Sequence, residues 1–274
     1  MNLITLPRWQ NYCEELCKND ENYVIENILI FNEDHCGVFD FNKYKNKTLI
    51  LINGDIDFPP VKTPHLNDNE LHMSYDNRIN YKAVSIIENF NIQIICYSSS
   101  IYHQNVRVIP LGVSWQMPLL NIQCSKKILC YANYGMPTVQ CWHGNIRKQL
   151  THIISNIPYI YKDNISLDTH KRKSVDKYQI YYQCLAHSKF AICPRGCGID
   201  TYRMYDALFY NCIPIVLKTN NFYKNLYEFP LLALNTWEDL LNYDEKTLNE
   251  IYEEKMAEYK SYKEYLNIDY YKVK

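Results

Sequence analysis

Seven residues able to bind an anion or a sugar fall within the short stretch from Arg195 to Asp206: Arg195, Gly196, Gly198, Asp200, Thr201, Arg203 and Asp206. The two glycines let a backbone turn tightly and come close to a ligand. Asp200 or Thr201 can cap a helix, and a helix N-terminus attracts negative charge. At helical spacing Arg203 and Asp206 project from one face. Two cations and a helix N-terminus suit a diphosphate, and Asp206 would either accept hydrogen bonds from ribose or sugar hydroxyls or orient Arg203. Each residue also has a plainer reading. Arg203 paired with Asp206 on an exposed helix would contribute only ~0.2–0.5 kcal/mol, Arg195 would be a surface-loop arginine, and Asp200 and Thr201 would cap the helix and nothing more.

The frame around these residues favours the chemical reading. Phe190 to Cys193 is an apolar strand, the loop with Arg195 follows, then an amphipathic helix, then a second apolar strand from Ile213 to Leu217. Strands alternating with helices predict a parallel α/β sheet, in which ligands bind beyond the carboxyl ends of the strands.

The string PRGCGIDTYRMYDALFYNCIPIVL resembles the donor-side signature of exostosin-like glycosyltransferases, glycosyltransferase family 47. That signature runs from a Pro-Arg-Gly loop through a Ser/Thr helix start and an Arg-x-x-Glu to a proline-containing strand. Here Asp206 stands where the family has Glu, with a shorter reach. The close match covers about thirty residues, with looser similarity through the C-terminal half. The resemblance implies a GT-B-like α/β fold, two Rossmann-like domains facing a cleft. It implies a nucleotide-diphosphate sugar donor of UDP or GDP type, with no cofactor and no metal, and a glycan or protein-linked glycan as acceptor. Transfer would be of hexosyltransferase type, with inversion in a single displacement. Arg147 resembles the second phosphate-side arginine that such enzymes place after the first donor-domain strand.

Glycosyl transfer needs a base for the acceptor hydroxyl, and the best-placed carboxylates are Asp55 and Asp57 in NGDIDFPP, at a strand end. The same pair also reads as an Asp-x-Asp metal motif or as a solvated turn, and His65, His72 and His143 are further candidate bases. Two rivals stand beside this reading. A fucosyltransferase-like GT-B enzyme would normally carry Lys or Glu-Lys at the helix position of Arg203. A non-catalytic nucleotide- or glycan-binding module would keep the fold without turnover.

The positioning elements are legible along much of the chain. Apolar runs bounded by turn residues predict strands at Thr48–Asn53, at Ile92–Tyr97, over Arg107–Trp115 with a Pro-Leu-Gly turn inside it, and from Lys126, opening into a glycine-containing loop by Gly135. Cys13 and Cys17 share one helix, and others are predicted over Lys82–Asn89, from Arg147 through RKQLTHIISNI, over Gln179–Ser188 and over Trp237–Tyr243. A short strand is expected before Leu234, and a long charged helix over Glu245–Tyr265. Residues 162–178 read as an exposed connection. A boundary near residue 118 would divide an acceptor-binding domain, residues 1–118, from a donor-binding domain, residues 119–274.

A net charge of −1, from 29 basic and 30 acidic residues, argues against a broad nucleic-acid surface while leaving room for a local anion pocket. Eleven cysteines without a CxxC pair fit free thiols of a reducing compartment better than disulfides or zinc. With no run of about 20 apolar residues and no signal-like N-terminus, the sequence predicts a cytoplasmic chain. Its 26 tyrosines and many asparagines read as genome bias and fit a virus-encoded enzyme of the host cytosol.

Overall fold

The structure, a computed structural model, describes residues 6–26, 40–51, 77–97, 99, 101, 103–114, 124–135, 144–163, 175–195, 200–218 and 229–272. It contains the expected pair of parallel α/β sheets. In the first sheet, β1 (Tyr23–Glu26), β2 (Thr48–Leu51), β3 (Gln93–Cys96) and β4 (Val106–Val108) pair in chain order, all parallel. The helices α1 (Leu6–Asn19) and α2 (Asn77–Asn89) accompany it.

The second sheet is built from β5 (Ile128–Ala132), β6 (Ile160–Lys162), β7 (Ser188–Ile192), β8 (Ile213–Leu217) and β9 (Leu232–Leu234). Its order is β6-β5-β7-β8-β9, again all parallel. Its helices are α3 (Gly144–Ser155), α4 (Val175–His187), α5 (Tyr202–Phe209) and α6 (Glu245–Glu258). Pro214 is tolerated in the interior strand β8. The Ile215 carbonyl faces β7, where it accepts the Cys193 N–H, so Pro214 faces β9 at a level before that strand's first paired residue, Leu232.

Strand residues alternate between faces, and both faces of each sheet are covered, as parallel sheets require. In the first sheet Leu49, Leu51, Ile94 and Cys96 pack with Ala83 and Ile87 of α2. On the other face Ile50, Ile95 and Tyr97 join Trp9 and Cys13 of α1. In the second sheet Cys130, Ala132, Phe190, Ile192 and Ile215 pack with Leu150 of α3 and Leu248 of α6. Tyr131, Ala191 and Cys193 point the opposite way, toward Tyr181 and Tyr182 of α4 and Met204, Tyr205 and Leu208 of α5. That last group belongs to the same core as Trp9, Ile50 and Tyr97. One apolar layer thus joins the two sheets, with α5 inside it.

Several elements differ from expectation. The strand predicted over Arg107–Trp115 ends at Val108; residues 109–114 carry no regular strand pairing, yet Ile109, Leu111 and Val113 are buried. The long C-terminal helix stops at Glu258, and a 3-10 turn follows at Tyr262–Leu266. The break has a packing cause: Leu248 and Tyr252 belong to the core around α3, whereas Tyr262 and Leu266 belong to the shared core. Tyr262 fixes the turn by donating its hydroxyl to Leu208 O at 2.7 Å and Asn211 Oδ1 at 2.9 Å. Strands β1 and β6 are additional to the expected elements, and β6 ends at Lys162, where the exposed connection was expected to begin. The expected boundary at 118 lies outside the described residues.

Among the described residues the eight cysteines are free thiols. No helix there is long and apolar enough to cross a membrane. No group of three His, Cys, Asp or Glu side chains there is arranged to hold a metal.

Candidate functional site

The order of the second sheet reverses between β5 and β7, because β6 lies on one side of β5 and the later strands on the other. At such a switch point the loops leaving the two strands diverge and open a crevice at their carboxyl ends. Here those loops begin with Asn133–Gly135 after β5 and Cys193–Arg195 after β7.

Arg147, in the first turn of α3, ties the two loops together. Its Nη1 donates to Gly135 O at 2.6 Å, and its Nε and Nη2 donate to Arg195 O at 3.2 and 2.9 Å. The Thr151 hydroxyl donates to Arg147 O at 2.7 Å and meets the Tyr134 hydroxyl at 3.1 Å. Arg147 therefore braces the loops at the carboxyl ends of β5 and β7 through their backbone carbonyls. Lysine is a point charge without the planar fork needed to hold both carbonyls. Arg147→Lys is expected to loosen both loops, with amide exchange around Gly135 and Arg195 roughly tenfold faster and the melting temperature little changed. Residue-resolved amide exchange beside a melting curve checks this.

Helix α5 starts beside the loop after β7. Thr201 is its N-cap, with extended backbone (φ −148°, ψ 133°) and a hydroxyl that accepts the Arg203 N–H at 3.4 Å. Arg203 lies in the first turn, half-buried, and among the described residues its Nε is buried without a hydrogen-bond partner. Its charge acts on Cys193 at the end of β7 and on Tyr134 after β5, so the cation stands over the switch point. Arg195 is half-buried in the adjacent loop.

The carboxylates behave differently from a surface pair. Asp206 is buried, 3% exposed, and its Oδ1 accepts the Ser114 N–H at 2.8 Å. No ion pair joins it to Arg203 among the described residues, so the plain reading of an exposed Arg203–Asp206 pair does not hold. Asp200, 4% exposed, accepts Leu111 N–H and the Tyr205 hydroxyl on Oδ2, both at 2.9 Å, and Thr201 N–H on Oδ1 at 2.8 Å. Asp200 and Asp206 are thus brought together on residues 111–114, at the end of the first sheet's chain. Asp55, Asp57, Gly196 and the three candidate histidines lie outside the described residues.

Burial pushes the Asp206 pKa up to about 7, against the lowering effects of the Ser114 N–H and the Arg203 charge. A folded-state pKa above the unfolded value gives stability that is complete below about pH 4 and is lost as pH rises through about 7. Asp206→Asn keeps an oxygen for the Ser114 N–H and carries no charge. Its stability is expected to stay flat where wild type declines, and at pH 8 it should exceed wild type by a few kcal/mol, at most about 4. Urea midpoints between pH 4 and 8 measure the difference.

Residues not singled out from sequence also tie these strand ends together. Asn133 and Tyr131 both donate to the Asp163 carboxylate just beyond β6, and Ser114 meets the Tyr182 hydroxyl as well as Asp206. Asn133 follows an apolar strand directly, a position that would have flagged it.

Two parallel sheets with helices on both faces, a switch point braced by Arg147 and a capped helix that carries Arg203 define an α/β protein with two Rossmann-like halves. The exostosin GT47 domain matches residues 62–245, more than half of the chain, and the match includes Arg147, Arg195, Thr201 and Arg203. The chain belongs to the exostosin family, glycosyltransferase family 47. No curated protein matches it significantly. Among solved structures, a chain of the GtfA/B complex is similar at 13% identity and a TM-score of 0.35, covering 82% of this chain and 54% of that one. This chain thus spans about half the length of that structure's chain.

Proposed function

We propose that the chain is a GT-B-like glycosyltransferase that moves a sugar from a UDP- or GDP-type donor to a hydroxyl of a glycan or protein-linked glycan. The observation that carries this reading is Arg203: a half-buried cation, not paired with Asp206, at a helix N-terminus over the switch point of a parallel sheet. Family membership supports the same chemistry.

In the proposed reaction the acceptor oxygen attacks the anomeric carbon as the bond to the diphosphate oxygen breaks, inverting the centre in one displacement. Negative charge grows on the leaving diphosphate. Arg203, Arg195 and the N-terminal N–H groups of α5 stabilise it more in the transition state than in the ground state. The acceptor proton passes to a carboxylate, assigned to Asp55 or Asp57 within the acceptor-binding residues 1–118. Residues 119–274 hold the donor. Arginines and a helix dipole supply the positive charge, so activity is expected to survive EDTA.

The test is a panel of UDP- and GDP-sugars incubated with glycan acceptors, with free nucleoside diphosphate and glycosylated product both measured. Acceptor-dependent release of diphosphate with matching product supports transfer. Donor binding without release across the panel would identify a nucleotide-binding module instead.

A further inference from the structure

We infer that Asp200 and Asp206 are positioning residues that strap the backbone of residues 109–114 onto helix α5, and so hold Arg203 in fixed register with the first sheet. The inference rests on the reading of Arg203 as the donor arginine. The strap itself stands on independent geometry.

Among the described residues segment 109–114 has no strand pairing beyond the Ile109 N–H on β3, yet it runs through the shared core, where an unpaired N–H is costly. Its donors go elsewhere. Ile109 N–H bonds Cys96 O at 2.7 Å, which ties the segment to β3. Leu111 N–H bonds Asp200 and Ser114 N–H bonds Asp206. Between these last two lies Gly112 at φ 80°, in the left-handed region that a side chain disfavours. That turn lets both N–H groups address α5, one at its start and one a turn and a half further on. Tyr205 supports the first bond through its hydroxyl on Asp200, and Tyr182 of α4 holds the Ser114 side chain.

Both carboxylates are almost wholly buried, and each has an oxygen committed to a backbone N–H. At 3% exposure Asp206 presents almost no surface to a ribose hydroxyl, and the bond to Ser114 accounts for where its Oδ1 points. The strap instead couples the two sheets at the end nearest the crevice: α5 carries Arg203, and 109–114 continues directly from β4.

The test combines residue-resolved amide exchange with UDP and GDP titrations of wild type, Asp206→Asn, Asp206→Ala and Ser114→Pro. Asparagine keeps the acceptor oxygen, alanine removes it, and proline removes the donor without touching Asp206. The strap predicts that the Ser114 amide keeps its protection in Asp206→Asn and loses at least about tenfold in Asp206→Ala. Diphosphate affinity should follow the same order: near wild type for asparagine, roughly tenfold weaker for alanine and for proline. The alanine–proline double variant should bind no worse than either single one, because both break the same bond. Equal loss of affinity in Asp206→Asn and Asp206→Ala would overturn the proposal in favour of a direct carboxylate contact. Unchanged Ser114 protection in Asp206→Ala would also overturn it. Should wild type bind neither nucleotide, the donor reading fails, while the exchange pattern still decides whether the strap exists.

Discussion

Arg203→Ala is expected to reduce sugar transfer by a factor of about 10³ or more, a loss comparable to removing a principal charge-stabilising group from an enzyme site. The protein should fold normally, because the side chain is half-buried and, among the described residues, no ion pair with Asp206 depends on it. Its Nε is buried and lacks a partner among the described residues, so truncation breaks no hydrogen bond there. The cost falls on the leaving diphosphate, whose growing charge would face a low-dielectric crevice with one cation fewer. Arg203→Lys should recover only part of the loss, since an ammonium offers a point charge where the guanidinium offers a fork. Transfer within tenfold of wild type in Arg203→Ala would remove this residue from the mechanism.

Asp200→Ala is expected to damage the fold more than any other change at the site. It strips the acceptor from three donors, the Leu111 and Thr201 N–H groups and the Tyr205 hydroxyl. Leu111 is 2% exposed and Tyr205 fully buried, so water cannot simply replace the carboxylate. Leaving buried donors unpaired costs roughly 1–3 kcal/mol each, so a total of about 3–5 kcal/mol is expected, a large part of a typical stability. For a chain of this size that is a drop of roughly 10 °C in melting temperature. Asp200→Asn should lie between, since its amide presents donors as well as an acceptor. Calorimetry of the three proteins measures the series, and an alanine variant melting with wild type would mean that Asp200 holds nothing in place.

What the sequence reveals depends on how local the physics is. The strands β7 and β8 and the start of α5 were legible because apolar runs, a capping threonine and turn glycines all act within a few residues. Strands β1 and β6 were missed because they are short edge strands: Tyr23–Glu26 is only half-buried throughout, and Tyr161 and Lys162 of β6 are exposed. Edge strands lack the continuous apolar signal of interior ones. That Arg147 and Arg203 lie in the first turns of helices could be read from the frame around them. The setting of Asp206 could not, because helical spacing from Arg203 says nothing of a core layer on both sides of α5. Nor does it show that Ser114, 92 positions away, would supply the hydrogen bond. Residues 109–114 read as a strand for a related reason: their apolar character is real, but it serves burial between two sheets.

The most direct test of the central claim is a thermal-shift panel of UDP, GDP, ADP and CMP on wild type and Arg203→Ala. A nucleotide present at 100 times its dissociation constant stabilises by about 2.7 kcal/mol, an easily seen shift. The account predicts that UDP or GDP stabilises wild type and fails to stabilise the variant, although both melt alike without ligand. Equal stabilisation of both proteins, or of neither while both are folded, would contradict it.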